Sequence, residues 1–258
     1  MRLQLIALLT SLSLMACGQS EQAANTEAAA APVESAPAQP VVEYVWNKTG
    51  PNYSEDQLPD IVARWNARID AGGYQMLGAN VLKPQFETDQ YDLIWVLMWP
   101  SEEARAAAWA DWSANQAEAW LQEMEGTLSY AAEDVYAFHP KWGHQAAGIQ
   151  TNVGDQFIPI FSFCSLNEGQ DETTFAAFRA EFDAWLTGDE MAPGYSYVML
   201  EPQFEMDEGI DMVWLDLFAD EASMMATGAN WSGSAIEEAW NAMASCEDYR
   251  FLATAIRR

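Results

Sequence analysis

The hexapeptide LKPQFE, Leu82–Glu87, recurs almost unchanged as LEPQFE, Leu200–Glu205. Each copy is followed by an acidic turn and then by an apolar run, Asp92–Trp99 in the first case and Asp211–Phe218 in the second. A tryptophan is the fourth residue of both runs. A similarity that occurs only twice is typical of a duplicated domain, because a solenoid needs more copies to bury its core. The sequence therefore predicts two halves of the same fold.

Each half has the pattern of a β-α-β-β-α-β unit. For the first half we predict a strand over 44–49, a helix over 60–70, a hairpin of 74–87 and 92–99, a helix after Pro100 and a strand over 135–139. For the second half we predict a strand over 157–166, a helix that ends at Gly188, the repeated hairpin, a helix after Asp220 and a strand over 249–256. We expect breaks in the last helical stretches near Asn115 and Gly233. This order is the ferredoxin-like split βαβ arrangement, so the predicted class is α+β.

The duplicated units resemble the dimeric α+β barrel superfamily. Within them the run Trp99–Trp112 is similar to NIPSNAP-type members, in which a strand ends in an aromatic residue and a helix opens with Ser-x-x-x-Arg and a following Trp. The second half departs from this pattern, since Met224 replaces Arg105 and Gly228 replaces Trp109. The resemblance implies two tandem ferredoxin-like units that form a barrel within one chain, with two sheets facing each other around a cavity. Members include cofactor-free monooxygenases and haem-handling enzymes, so the fold does not decide the function.

The N-terminus has the pattern of a bacterial lipoprotein signal. A positive start and an apolar run over 3–14 precede LMAC, Leu14–Cys17, which resembles a lipobox. The resemblance implies that the signal peptide 1–16 is removed and that Cys17 is lipidated. Gly18 then implies an outer membrane lipoprotein of the bacterial cell envelope that faces the periplasm. An ordinary cleavage site with Cys17 as a bystander remains the alternative.

The rest of the chain divides into four segments. Residues 17–41 are rich in Ala, Pro, Gln and Glu and lack aromatic side chains, which predicts a disordered tether. We place the first domain at 42–142, a linker at 143–155 and the second domain at 156–258. The membrane is therefore expected to be reached through the lipid on Cys17 and not through a basic surface.

Charge excludes one large class of partner. The chain has 39 acidic and 11 basic residues, for a net charge of −28. Such a field repels phosphate backbones, so no nucleic-acid partner is expected. It leaves room for a cationic protein partner, or for a role of the charge in solubility alone. With two His and three Cys, no metal site and no cofactor are predicted.

Strand alternation selects a candidate ligand site. Trp95 and Trp99 share one face of their strand, and Trp214, Asp216 and Phe218 share the matching face of the repeated strand. We expect these side chains, together with Trp46 from the first strand, to line the cavity between the two sheets. Asp216 is the acidic exception, because a carboxyl there must be paired, protonated or wet. It is either a general base or ligand acceptor, or a structural residue bonded to backbone or to a cation.

The histidines and the remaining cysteines have simpler interpretations. His139 and His144 are separated by Pro140 and Gly143, so they do not share a helix face, and we expect them to be linker residues and not ligands of a metal or haem. Cys164 lies late in the first strand of the second half and Cys246 just precedes its last strand, and these two strands are antiparallel neighbours in this topology. In an oxidising compartment this position predicts a disulfide, with two free buried thiols as the alternative.

Three functions of different classes follow from these observations. The first is a lipid-anchored protein that binds a small apolar or aromatic molecule between its sheets. The second is a cofactor-free oxidase or monooxygenase that uses Asp216 as its base, since such chemistry needs an acid with a raised pKa inside a dry aromatic wall. The third is a structural or interaction lipoprotein whose sheets pack without a cavity.

Overall fold

The protein is described by a computed structural model. The structure describes residues 38–145, 152–187 and 193–258. The predicted signal peptide 1–16, Cys17 and most of the tether lie outside these residues, as do Gly188 and part of the predicted linker 143–155. In the described part of the chain, no helix combines the length and the apolar character needed to cross a bilayer.

The described residues form nine strands and six helices. The strands are β1 (Val41–Thr49), β2 (Gly78–Pro84), β3 (Leu93–Trp99), β4 (Leu128–Ser129), β5 (Val135–Gln145), β6 (Gln156–Leu166), β7 (Tyr195–Pro202), β8 (Met212–Phe218) and β9 (Ala244–Arg257). The helices are α1 (Leu58–Gly72), α2 (Glu102–Asn115), α3 (Ala117–Glu123), α4 (Glu172–Leu186), α5 (Glu221–Trp231) and α6 (Ala235–Met243). Chain order is the same in both halves, apart from the short β4.

The strands close into a barrel. In the first half the hydrogen-bonded order is β5-β1-β3-β2, and in the second half it is β9-β6-β8-β7. The pairings of β2 with β9 and of β5 with β7 join the two sheets at both edges, and all pairings are antiparallel. The predicted α+β class, with two tandem ferredoxin-like units forming a barrel within one chain, is confirmed.

Local sequence signals set the ends of the helices. The chain leaves α1 at Gly73, whose φ of 64° suits a residue without a side chain. The Ser101 hydroxyl caps α2 by accepting a hydrogen bond from the Ala104 N–H at 3.2 Å. The predicted break at Asn115 is confirmed, because α2 ends there. The break at Gly233 is confirmed as well, because this residue has a φ of 76° between α5 and α6.

Three strands extend well beyond their predicted bounds, and one of them, β9, begins at Ala244 and not at residue 249. Strand β1 begins at Val41 and not at Tyr44, so the last residue of the predicted tether 17–41 belongs to the sheet. Strand β5 continues to Gln145, past the predicted end of the first domain at residue 142. This extension pairs with β7 of the second half after a register shift between Pro140 and Gly143. The seam between the halves, and not either half alone, determines the length of β5.

Three apolar clusters fill the molecule. One lies between the first sheet and helices α1 to α3, and a second lies between the second sheet and helices α4 to α6. The third lies inside the barrel and is built by strands of both halves. There Tyr44 and Phe251 each contact Phe161 edge to face, with ring centroids 5.3 and 5.6 Å apart. The space between the sheets is thus occupied by the protein's own aromatic rings.

A disulfide joins the first and last strands of the second half. Cys164 of β6 faces Cys246 of β9 in the strand register, and their sulfurs are bonded at 2.10 Å. Cys164 is fully buried against the second helix layer. In the chain-entropy model, a cross-link that spans 82 residues stabilises the fold by about 4–5 kcal/mol.

Candidate functional site

The structure separates the aromatic side chains that we expected to share one cavity. Trp95 and Trp99 belong to the helix-covered cluster of the first half. Trp214 and Phe218 belong to the helix-covered cluster of the second half. Only Trp46 packs against the barrel interior, where its ring lies 4.6 Å from that of Tyr136. The prediction that these residues line one cavity between the two sheets is wrong.

The error has a physical reason. Both faces of β3 and of β8 are buried, one by helices and one by the opposite sheet. The two-residue period of a strand therefore sorts side chains into two faces, but it does not tell which face the helices cover. The tryptophan faces of both strands lie under the helices.

A cavity does exist in the helix layer of the first half. It has a volume of about 50 Å³ and lies between the first sheet and helices α1 to α3. Its walls are mostly aromatic, and we call it the tryptophan pocket. It is lined by Val45, Asn47, Trp65, Ile69, Tyr74, Met76, Trp95, Leu97, Trp99, Ala108, Trp109, Trp112, Trp120, Leu128 and Tyr130. Two of the predicted ligand-binding residues, Trp95 and Trp99, are therefore brought together here.

The polar groups of this pocket are few, and one lacks a partner. The Trp112 indole N–H donates to the Tyr130 hydroxyl at 3.0 Å. The Tyr74 hydroxyl donates to Asp111 at 2.7 Å, and burial and this carboxylate raise the pKa of Tyr74, which keeps the phenol protonated. The Trp95 Nε1 is buried and has no acceptor among the described residues. Buried indole N–H groups usually find one.

Glu43 of β1 holds two walls of the pocket in place. Its carboxylate is 0% exposed and accepts hydrogen bonds from the indole N–H groups of Trp99 at 3.1 Å and Trp109 at 2.8 Å. It also pairs with the Arg105 Nε at 2.6 Å. Burial alone would lower the pKa of Arg105, but Glu43 and Glu102 hold it above its ordinary value. Aromatic and arginine side chains of the run Trp99–Trp112 thus converge on one buried acid.

Sequence analysis missed Glu43, although a signal was present. The strand predicted over 44–49 begins one residue after Glu43. It therefore leaves out the alternation of Glu43 with Val41 and Val45. An acid on the same face as two buried valines, within a strand of the apolar type, is costly unless it is paired. That conflict alone marks Glu43 as a residue with a specific partner.

A second, more polar cleft adjoins Arg105 at the junction of the halves. It has a volume of about 310 Å³ and we call it the arginine cleft. It is lined by Glu102, Arg105, Val135, Ala137, His139, Gln203 and Phe204. The His139 Nδ1 lies 2.9 Å from the carbonyl oxygen of Pro40. His144 lies opposite Tyr197 in the β5–β7 ladder and does not line this cleft.

The tryptophan pocket does not fit a haem. The side chains that line the tryptophan pocket include no histidine and no cysteine, and about 50 Å³ is far below the ~300–1,000 Å³ of sites for drug-sized molecules. In the described ranges, no group of three or more His, Cys, Asp or Glu residues is arranged to hold a metal ion.

Asp216 is bonded within the second half and does not line either cavity. Its Oδ1 accepts from the Tyr195 hydroxyl at 2.6 Å and from the Trp214 indole N–H at 2.8 Å. Desolvation raises the pKa of Asp216 to about 6, although the two donors act in the opposite direction. The surrounding layer is filled by rings, and Phe182 contacts Tyr197 and Trp214 with centroids 5.3 and 5.2 Å away. The acceptor role that we expected for Asp216 is filled by the protein's own donors.

Comparison with solved structures gives the fold and nothing finer. The chain is similar to the candidate chlorite dismutase TA0507 (TM-score 0.52, 10% identity, covering 84% of this chain and 95% of that one). It is similar to a candidate monooxygenase from Fusobacterium nucleatum, with a TM-score of 0.50 and 9% identity, over 85% of this chain and 93% of that one. It is also similar to chlorite dismutase from Candidatus Nitrospira defluvii, with a TM-score of 0.50 and 8% identity, over 86% of this chain and 93% of that one. No protein-family model matches the sequence, and no curated protein matches it. These neighbours share the α+β barrel fold described above.

Glu43→Gln is expected to destabilise the protein by about 3 kcal/mol or more, because it leaves the partly buried Arg105 without its main counter-charge. Glu102→Gln is the matched control, since Glu102 pairs with the same arginine but is 54% exposed. We expect its cost to stay below about 1 kcal/mol. Denaturant unfolding at pH 7 measures both. Equal losses would show that Glu43 has no special structural role.

Asp216→Asn is expected to change how stability depends on pH. A carboxyl with a pKa of about 6 in the folded state and an ordinary value of 3.8 takes up a proton on folding at pH values between the two. The stabilising contribution of Asp216 to the free energy of unfolding is therefore full below pH ~4. It is lost as the pH rises to ~6, and the loss is at most about 3 kcal/mol. We expect the free energy of unfolding of Asp216→Asn to fall less than that of the wild type between pH 4.5 and 7.5. The exposed Asp89→Asn of the first half is the control, because Asp89 is not among the groups that act on Asp216. Identical slopes for all three proteins would refute the expectation.

Proposed function

We propose that this protein binds a small, neutral, planar aromatic molecule in the tryptophan pocket. One observation carries the proposal: six indole rings surround a cavity in which one indole N–H, that of Trp95, lacks an acceptor. Ligand sites are typically apolar concavities with few polar groups that fix orientation. The aromatic walls favour a flat ring, which stacks or packs edge to face against them.

The charges favour a neutral ligand. No Lys, Arg, Asp or Glu lines the tryptophan pocket, so a charged molecule would lose its hydration without gaining a counter-ion. The net charge of −28 also opposes the approach of an anion. The distribution of polar groups therefore supports a molecule with one or two hydrogen-bonding atoms and no formal charge.

The volume favours a molecule of about one ring. A cavity of about 50 Å³ exceeds what one water needs, but an apolar cavity that binds benzene has about 150 Å³. The rim side chains Tyr74, Met76, Trp109 and Tyr130 are only partly buried. Trp109, Tyr74 and Tyr130 are held by hydrogen bonds, so binding of a ring requires Met76 to turn outward, and a molecule of several fused rings would require a larger rearrangement.

A second candidate function is oxidation of the bound molecule by O2 without a cofactor. Tyr74 borders the pocket while donating to Asp111, so this pair can take a proton from a ligand hydroxyl. The fold is also that of a candidate monooxygenase. A hydroquinone would then lose two hydrogens to O2, which gives a quinone and hydrogen peroxide. An oxygen electrode detects this uptake. Oxygen uptake that is lost in Asp111→Asn but kept in Asp216→Asn supports this candidate. Uptake that is lost in Asp216→Asn alone would instead identify Asp216 as the base.

We also propose that the domain is held at the outer membrane by lipid on Cys17. The lipobox-like LMAC, Leu14–Cys17, and the tether-like composition that follows it support the anchor. The Cys164–Cys246 disulfide agrees with an oxidising compartment such as the periplasm. Incorporation of labelled palmitate tests the anchor, and we expect the full chain to be labelled and the Cys17→Ala variant not to be. Equal labelling would exclude the anchor.

A NIPSNAP-type relationship is a separate proposal for the first half. It is supported by the convergence of Trp99, Arg105 and Trp109 on Glu43, which gives the similar residues one shared structural role. The second half lacks two of these residues, with Met224 and Gly228 in their places. We therefore expect ligand binding in the first half only.

Ala108→Leu is expected to abolish binding, because Ala108 lines the tryptophan pocket and a larger side chain fills it. Ala107→Leu is the matched control, since it makes the same change on the exposed side of the same helix. Styrene serves as a one-ring probe in isothermal titration calorimetry. We expect at least about tenfold weaker binding for Ala108→Leu and unchanged binding for Ala107→Leu. No binding to the wild type, or equal binding to both variants, would overturn the proposed site.

A further inference from the structure

We infer that the ligand of the tryptophan pocket carries an uncharged oxygen acceptor, such as a ring carbonyl, that receives the hydrogen bond of the Trp95 Nε1. This inference rests on the proposed function, because it concerns the molecule that binds in that pocket. It comes from a comparison of the two halves of this chain, which place the same tryptophan in different surroundings.

The strand registers establish which residues correspond. In the first half Trp95 faces Val45 and Leu97 faces Glu43 across β1 and β3. In the second half Trp214 faces Ser162 across the equivalent pair of strands. Two residues further along β8, Asp216 stands where β3 has Leu97. Trp95 and Trp214 are therefore the same position of the repeat, with the same neighbour position on their own strand.

The second half shows what this indole N–H binds when the site is complete. Trp214 donates to the Asp216 carboxylate at 2.8 Å. In the first half Leu97 occupies the corresponding position and offers no acceptor, so the Trp95 N–H has none among the described residues. The group that is missing from the first half is thus an oxygen acceptor beside the indole edge.

The second half also shows that an aromatic ring belongs beside this indole. The Tyr197 ring stacks on Trp214, with centroids 4.2 Å apart and planes 14° apart. Tyr197 faces Asp216 across β7 and β8, just as Ala79 faces Leu97 across β2 and β3. Trp65 lies beside Trp95 in a tilted orientation, with centroids 5.7 Å apart, but the first half lacks both the stacked ring and the oxygen that accompany the equivalent tryptophan. A single aromatic molecule with an oxygen substituent supplies both.

A neutral oxygen fits this site better than a carboxylate does. The Asp216 carboxylate is tolerated because the Tyr195 hydroxyl donates to it as a second partner at 2.6 Å. The residue at the position of Tyr195 in the first half is Leu77, which has no donor on its side chain. Among the described residues, no Lys or Arg lines the tryptophan pocket, so a ligand carboxylate would have no counter-ion there. An aryl aldehyde, ketone or quinone, or a neutral phenol, therefore meets the chemistry of the site.

The test compares benzaldehyde with styrene, which has nearly the same shape but no oxygen. Dissociation constants are measured for the wild type and for Trp95→Phe, which removes the N–H and keeps an aromatic ring. We expect the preference for benzaldehyde over styrene to fall by about 3- to 10-fold in Trp95→Phe, the effect of one hydrogen bond. Trp112→Phe is the matched control, because its N–H already donates to Tyr130. It should affect both probes equally.

The outcomes separate this inference from the proposed function. If neither probe binds the wild type, the proposed function falls and the inference falls with it. If both bind and Trp95→Phe leaves their ratio unchanged, the pocket stands but the acceptor is water or absent, and the inference is overturned. A measurement on the wild type decides the matter even if the variant fails to fold. In protein with ¹⁵N-labelled tryptophan, benzaldehyde should move one indole N–H resonance further downfield than styrene does, and equal shifts would overturn the inference.

Discussion

The arrangement of the first half depends on a carboxylate that has no contact with water. Glu43 is fully buried in the sheet, and an ionised group in that position is costly unless several donors surround it. Those donors come from the end of β3 and from α2, so α2 must pack against the sheet with Trp99, Arg105 and Trp109 in fixed positions. The walls of the tryptophan pocket follow from this one requirement. The arginine cleft depends on the same carboxylate, because Arg105, which pairs with Glu43, lines that cleft.

The two halves meet the same requirement in different ways. Both place one acid beside an indole N–H on the helix-covered face of the sheet, but the acid is on the first strand of one half and on the third strand of the other. Glu43 faces Leu97, whereas Asp216 faces Ile160. The second half then fills its helix layer with rings such as Phe182, while the first half leaves a cavity. The repeat has therefore kept its backbone and changed its interior.

Much of the fold could be predicted from local signals. The repeated hexapeptide, the helix breaks at Asn115 and Gly233 and the facing positions of Cys164 and Cys246 all depend on short stretches of sequence or on topology. The site could not be predicted in the same way, because both faces of the central strands are apolar. Which face a tryptophan occupies depends on how helices pack over the finished sheet. Glu43 is an intermediate case, since an acid among the apolar residues of this strand is visible in the sequence, but its partners are not.

Closure of the barrel within one chain has a genetic consequence. In an assembly of two identical subunits, each substitution occurs in both, and every site exists in two copies. Here the seams of β2 with β9 and of β5 with β7 join halves that are encoded separately. A substitution such as leucine for aspartate, at the position that Leu97 and Asp216 share, can therefore remove a hydrogen-bond acceptor from one half while the other half keeps it. The proposed ligand would then bind once per chain, in the first half, while the second half contributes stability alone.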